Sequence, residues 1–278
     1  MSRITKTFAA LSRANRKALI PYVTAGDPDL HATSHILDAL VAGGADIIEL
    51  GVPFSDPMAD GPVIQEAMER AINRGANLHE ALRIAKDFRA RHPEVPLILF
   101  GYLNPLYKLG LEAAANAAAE AGVDGLLIVD LPMESAHELL PFLSKHDIDL
   151  IGLFTPTTDA QRVAEMAASA SGFAYCVSVA GVTGGAVKRD ARLRDRVATI
   201  QDTTGLPTAV GFGVRTPADA AAIAEYADGV VVGSALVQTM ADKPAVEAPA
   251  LAQEFIASLR AAIDGGDVIP LTRATRSD

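Results

Sequence analysis

Eight short apolar runs, each leading into a stretch of helical periodicity, recur along the 278-residue chain. The runs are Ala18–Thr24, Asp46–Gly51, Val95–Gly101, Gly125–Asp130, Asp149–Phe154, Phe173–Ser178, Thr208–Gly213 and Gly229–Gly233. They are rich in Val, Ile, Leu and Phe without clean polar alternation, as strands covered on both faces are. Helical patterning is clearest over Leu30–Val41, Val63–Asn73, Leu78–Arg91, Leu111–Ala121, Ser135–Lys145, Ala160–Ala170, Ala218–Glu225 and Leu251–Ile263. Gly43, Gly44 and Gly122 supply helix stops, and Pro28, Pro132 and Pro217 lie near helix starts. Eight strand–helix units predict an α/β chain closed into a (β/α)8 TIM barrel. A doubly wound open sheet is the rival, but the first strand runs into Thr24-Ala-Gly-Asp-Pro-Asp29, which is not a dinucleotide-binding G-x-G-x-x-G turn.

No linker or composition shift divides the chain, so residues 1–278 are expected to form one domain, with the barrel over roughly 18–265. An extra N-terminal helix over the first 15 residues is expected to cap the barrel bottom, and the polar stretch Pro270–Asp278 to fray. A net charge of −10 disfavours nucleic acid and anionic membrane as partners. One cysteine, Cys176, and no apolar leader or membrane-length run point to a cytoplasmic protein.

Barrel enzymes carry their chemistry at the C-terminal ends of the strands and in the loops that follow. Glu49 lies inside the second apolar run, where a charge is costly unless it is paired or used. A structural ion pair is the alternative to a catalytic role. Asp60 follows in the loop Val52-Pro-Phe-Ser-Asp-Pro-Met-Ala-Asp-Gly-Pro62, and its local sequence suits a helix cap as well as it suits catalysis. Glycines at the ends of the last two runs, Gly211 and Gly213 before and after Phe212, then Gly233 before Ser234, would let backbone N–H groups approach a phosphate. The Gly-rich segment 179–190 reads as a lid. Around the expected mouth stand Tyr22, Phe100, Tyr102, Leu127, Val129, Leu153, Tyr175 and Phe212, which suit a flat apolar ligand.

The 6 histidines fall on helices or just beyond them; the i,i+4 pair His31 and His35 lacks a third ligand nearby, so no metal site is expected. No lysine stands in a predicted strand, which argues against Schiff-base chemistry. Cys176 reads as a small core residue. Acid–base work by carboxylates on a small phosphorylated substrate is what remains.

The stretch Glu49–Gln65 resembles the signature of the tryptophan synthase α chain family, and Pro21–Pro28, Gly181–Gly184, Gly211–Gly213 and Gly233–Ala235 are similar to that family too. The resemblance spans nearly the whole chain. It implies a lyase of tryptophan biosynthesis that performs retro-aldol cleavage of indole-3-glycerol phosphate to indole and D-glyceraldehyde 3-phosphate. It implies that Glu49 protonates indole C3 and helps take the glycerol hydroxyl proton, that Asp60 faces the indole N–H, and that Tyr175 is an active-site tyrosine. Gly184, Gly213, Gly233 and Ser234 match phosphate-binding positions, and Thr183 joins the indole pocket. No cofactor is implied in this chain; the family's partner is a PLP-dependent β chain in an αββα assembly. Pro53 and Asp56 would face that partner, with Asp56 relaying its state to Asp60. One departure stands out: Val179 occupies a lid position where members of the family often carry Arg. Three other readings stay open: a catalytically silent regulatory subunit, another barrel lyase or isomerase acting on a phosphorylated substrate, and a stand-alone indole-releasing enzyme.

Overall fold

The computed structural model describes residues 1–178, 191–211 and 213–265. Its strands are β1 (Ala18–Thr24), β2 (Ile48–Gly51), β3 (Leu97–Gly101), β4 (Gly125–Ile128), β5 (Asp149–Leu150), β6 (Gly152–Phe154), β7 (Ala174–Val177), β8 (Thr208–Gly211) and β9 (Gly229–Val232). All the pairings are parallel, in the order β5-β4-β3-β2-β1-β9-β8-β7-β6. β5 and β6 are consecutive pieces of one extended run broken at Ile151, the first paired with β4 and the second with β7. The two ends of the order therefore meet, and the sheet closes into the predicted barrel.

The strands are short and apolar because they are enclosed by helices outside and side chains inside; every residue of β1 is buried. The helices are α1 (Arg3–Arg13), α2 (Leu30–Ala42), α3 (Pro62–Asn73), α4 (Leu78–Arg91), α5 (Leu103–Leu109), α6 (Leu111–Glu120), α7 (Leu140–Ser144), α8 (Ala160–Ala167), α9 (Ala191–Thr204), α10 (Pro217–Ala224), α11 (Ser234–Met240) and α12 (Ala248–Ile263). Helix α2 stops as its glycines require: Gly43 is the C-cap and Gly44 takes φ +97°.

Several elements differ from the sequence pattern. The helix expected over Ser135–Lys145 is a 3₁₀ turn, Met133–Glu138, followed by α7, because Pro141 must occupy a first helical turn and disfavours helix just before it. Helices α5 and α9 lack a clear apolar stripe in sequence: α5 carries Pro105 in its first turn, and α9 buries only Val197 and Ile200. The strand expected to end at Gly213 ends at Gly211, and Phe212 lies outside the described residues.

Helix α1 closes the bottom of the barrel. Ser2 caps it, accepting from the Thr5 N–H, and Ile4, Phe8 and Leu11 turn inward, with Phe8 5.6 Å from Phe173 between ring centroids. Asp124, just ahead of β4 and 4% exposed, accepts from Arg3 Nη1 at 2.8 Å, from Arg89 Nη2 and from the Leu97 N–H at 2.8 Å. One carboxylate thus ties α1, α4 and the start of β3 together at the end of the barrel away from the predicted site.

Candidate active site at the barrel mouth

Parallel pairing sets Tyr22 of β1 beside Glu49 of β2. Glu49 is 0% exposed, and neither carboxyl oxygen has a hydrogen-bond partner among the described residues. The structural ion pair left open by the sequence is therefore not formed with any described residue. Burial alone pushes the Glu49 carboxyl from its ordinary 4.5 to about 8. At neutral pH it is a protonated acid inside the barrel, able to give a proton and to take one back.

Asp60 is not a helix cap. The N-cap of α3 is Gly61, which has no side chain to offer, and Pro62 takes the first helical position. The Asp60 carboxylate instead receives the Tyr102 hydroxyl at Oδ2, 2.6 Å away, while the same hydroxyl accepts from the Ala59 N–H at 3.0 Å. Burial raises the Asp60 pKa and the hydrogen bond from Tyr102 works against that rise. Phe54 stacks on Tyr102 with ring centroids 5.0 Å apart.

Tyr175 of β7 is buried, and its phenol is held well above its ordinary pKa, first by burial and then by the charges of Glu49 and Asp60. Tyr22 is likewise pushed up by burial and by Asp60, and its hydroxyl lies 3.2 Å from Thr24 Oγ1. Phenols from β1 and β7, with two strands between them, thus sense the same two carboxyls. Tyr22 meets Phe100 edge-on, with centroids 5.2 Å apart. Leu127, Val129 and Leu153 belong to the same interior cluster, so the described members of the predicted aromatic and aliphatic lining come together.

Two glycines at this mouth serve the aromatic side chains rather than a phosphate. A Cβ on Gly51 would collide with the Tyr22 hydroxyl, and one on Gly211 with the Tyr175 hydroxyl. Glycine at the C-terminal end of β2 and of β8 makes the space in which each phenol stands. The signal in the sequence is a glycine closing an otherwise bulky apolar strand.

Gly213 takes φ +84°, and Gly233 precedes α11 with its missing Cβ facing Tyr22 Cβ at 3.6 Å, so Ser234 begins a helix at the same mouth. Thr183, Gly184, Val179 and Phe212 lie outside the described residues. Asp56 is exposed on the loop between β2 and α3, whereas Pro53 is buried beneath it. Among the described residues no group of three or more His, Cys, Asp or Glu side chains could hold a metal ion, and no helix is long and apolar enough to cross a membrane. Cys176 is fully buried in β7, where burial pushes its thiol up to about 11.

A closed parallel barrel with a neutral buried acid, a second carboxylate on the loop that follows the same strand, and an aromatic mouth defines a barrel enzyme of proton-transfer chemistry. The comparisons with known proteins narrow that class. The family model described as "Tryptophan synthase alpha chain" matches residues 8–263. A tryptophan synthase alpha chain of Burkholderia pseudomallei is 49% identical over 265 residues, covering 95% of this chain and 98% of its own, and one of Thioalkalivibrio sulfidiphilus is 50% identical over 266 residues, covering 95% and 100%. The crystal structure of tryptophan synthase subunit alpha from Legionella pneumophila superposes with a TM-score of 0.87 at 41% identity, over 95% of this chain and 99% of that one. A chain of Mycobacterium tuberculosis tryptophan synthase in its aminoacrylate-bound form superposes with a TM-score of 0.85 at 33% identity, over 95% and 100%. The chain belongs to the tryptophan synthase α chain family.

Proposed function

We propose that Glu49, Asp60 and Tyr175 carry the α reaction of this family here: retro-aldol cleavage of indole-3-glycerol phosphate to indole and D-glyceraldehyde 3-phosphate. The observation that carries this reading is the fully buried Glu49 carboxyl on β2, without a hydrogen-bond partner among the described residues and held protonated near neutrality. Cleavage needs one proton delivered to indole C3 and one removed from the hydroxyl that becomes the aldehyde. A neutral Glu49 donates to C3 and becomes a carboxylate. As the C–C bond breaks and its electron pair returns to the indole ring, that carboxylate takes the hydroxyl proton and is restored. The ionised Asp60 stabilises the transient positive charge at the indole nitrogen. Tyr175, Tyr22, Phe100, Tyr102, Leu127, Val129 and Leu153 enclose the flat ring and exclude water; the family resemblance assigns Thr183 to the same pocket, and Phe212 is assigned there from its place in the sequence.

Gly184, Gly213, Gly233 and Ser234 are assigned to the phosphate. The positive φ of Gly213 and the side-chain-free cap of α11 at Gly233 support this, because both let backbone approach an anion without a basic patch. The partner is a PLP-dependent β chain, in an αββα assembly in the cytoplasm, and PLP belongs to that chain. The loop that follows β2 and the helix that follows β3 support a docking surface there: Met58 on the loop is 84% and Tyr107 on α5 64% exposed, and Asp56 stands beside Met58 at a groove of about 700 Å³. Pro53, being buried, would shape that loop from below.

Incubating the full chain with indole-3-glycerol phosphate and assaying the products tests the reading. Free indole and glyceraldehyde 3-phosphate are expected. Their absence, both alone and with a β chain present, would leave a silent regulatory subunit, and a different product would point to another phosphosubstrate lyase or isomerase.

A further inference from the structure

Asp60 sits on a loop with two prolines, and its usefulness depends on where that loop is held. The turn Pro57–Asp60 closes on itself through the Asp60 N–H, which donates to the Pro57 carbonyl at 3.1 Å. Gln65, one turn into α3, reaches back to the same turn. Its Nε2 donates to the Pro57 carbonyl at 3.2 Å and to the Asp60 carbonyl at 2.8 Å, so one side-chain amide holds both ends. From the barrel side, Tyr102 holds the Ala59 N–H and the Asp60 carboxylate. The turn is therefore suspended between a phenol in the site and an amide on α3.

An amide on a helix positions a turn only as well as the helix itself is positioned. The same helix carries Arg70, whose Nε and Nη2 donate to Asp27 Oδ1 and Oδ2 at 2.8 and 2.9 Å. Asp27 is 6% exposed, in the loop that follows β1, the strand of Tyr22 and Thr24. A two-pronged pair between a planar guanidinium and a buried carboxylate fixes distance and orientation together. It locks α3 to the first strand–helix loop, and Gln65 carries that reference to Asp60.

We infer that Gln65, with α3 anchored by the Arg70–Asp27 pair, is a positioning residue for Asp60. This rests on the reading of Asp60 as the residue that meets the indole nitrogen. Without Gln65, the turn keeps its Tyr102 contact and its own Asp60 N–H to Pro57 bond, and loses the tie of both carbonyls to α3. Asp60 then samples positions away from the developing charge, which affects the transition state more than ground-state binding.

The test is kinetic, on the full chain, with Gln65→Met, of similar length without a donor, and Gln65→Leu as a second variant of the same kind. Gln65 is exposed, so neither change opens the core. Each is expected to lower kcat for indole release about tenfold to a hundredfold while KM moves less than kcat does. The same change is then made in an Asp60→Asn background, where it should add less than about a twofold further loss, because the group it positions is already gone. Parent-like kcat in both single variants overturns the inference, and so does a loss of equal size in both backgrounds. Parent-like turnover by Asp60→Asn alone would instead overturn the assignment of Asp60, and the inference with it.

Discussion

The Tyr102 hydroxyl lies 2.6 Å from Asp60 Oδ2 and, through its other side, receives the Ala59 N–H. A single phenol therefore sets both the charge and the backbone of the loop carboxylate. Tyr102→Phe removes the hydrogen bond that opposes the burial-driven rise of the Asp60 pKa. A hydrogen bond to a charged group contributes roughly 1.5–3 kcal/mol, so kcat for indole release should fall about tenfold to a hundredfold. The Asp60 carboxyl, followed by NMR titration, should protonate at higher pH than in the parent. An unchanged titration would mean the hydroxyl does not set the charge.

Replacing Glu49 by Gln removes the proton carrier and keeps the shape. Turnover should drop by about 10²–10⁴, with the fold intact by circular dichroism. A variant that cleaves the substrate at near the parent rate would show that another group moves the proton. For Asp60→Asn the expected signature is a fall in kcat larger than any rise in KM; an effect confined to KM would make Asp60 a binding residue only.

The Glu49 carboxyl must start protonated to give a proton to carbon. With its pKa near 8, the α reaction should lose rate as pH rises through about 8. Stability follows the same group. Its folded-state pKa lies above its ordinary 4.5, so its contribution is full below about 4.5 and is lost as pH rises through about 8. Chemical denaturation at a series of pH values should show a decline on the order of a few kcal/mol over that window. In Glu49→Gln the decline should flatten; an identical slope in parent and variant would assign it to other groups.

Gly51 makes room for the Tyr22 hydroxyl, and its replacement by Ala puts a methyl group where that hydroxyl stands. Backbone on one side and a packed ring on the other leave little to give, so a destabilisation of about 1–3 kcal/mol is expected, with loss of activity from a displaced Tyr22. Melting temperature and kcat together check this. Parent-like values for both would mean that the ring can swing aside.

At the opposite end, Asp124 joins Arg3, Arg89 and the Leu97 N–H. Asp124→Ala strands half-buried Arg89 without its carboxylate and should cost about 3–5 kcal/mol in urea titration. Activity of the folded fraction should change little, because the hub lies at the barrel bottom. A selective loss of kcat without loss of stability would contradict that separation.

Glu49, Asp60 and Tyr175 were identifiable in the sequence because a charged residue in an apolar run and a dense Pro/Gly loop are local anomalies, and because Glu49–Gln65 resembles a family signature. The barrel was legible for a related reason: repeated strand–helix units state their periodicity within a few residues of chain. Helices α5 and α9 were not, since one has a proline in its first turn and the other a thin apolar face. Whether Glu49 is paired, and whether Asp60 caps a helix, depends on atoms far away in sequence. Burial by surrounding strands makes Glu49 a neutral acid; Tyr102, from the end of β3, claims Asp60; and Gly51 and Gly211 matter because Tyr22 and Tyr175 arrive from other strands. Local pattern therefore determined the elements and the candidate groups, while the charge state and partners of each group were decided by the closed barrel, because desolvation and hydrogen-bond geometry are set by what packs around an atom.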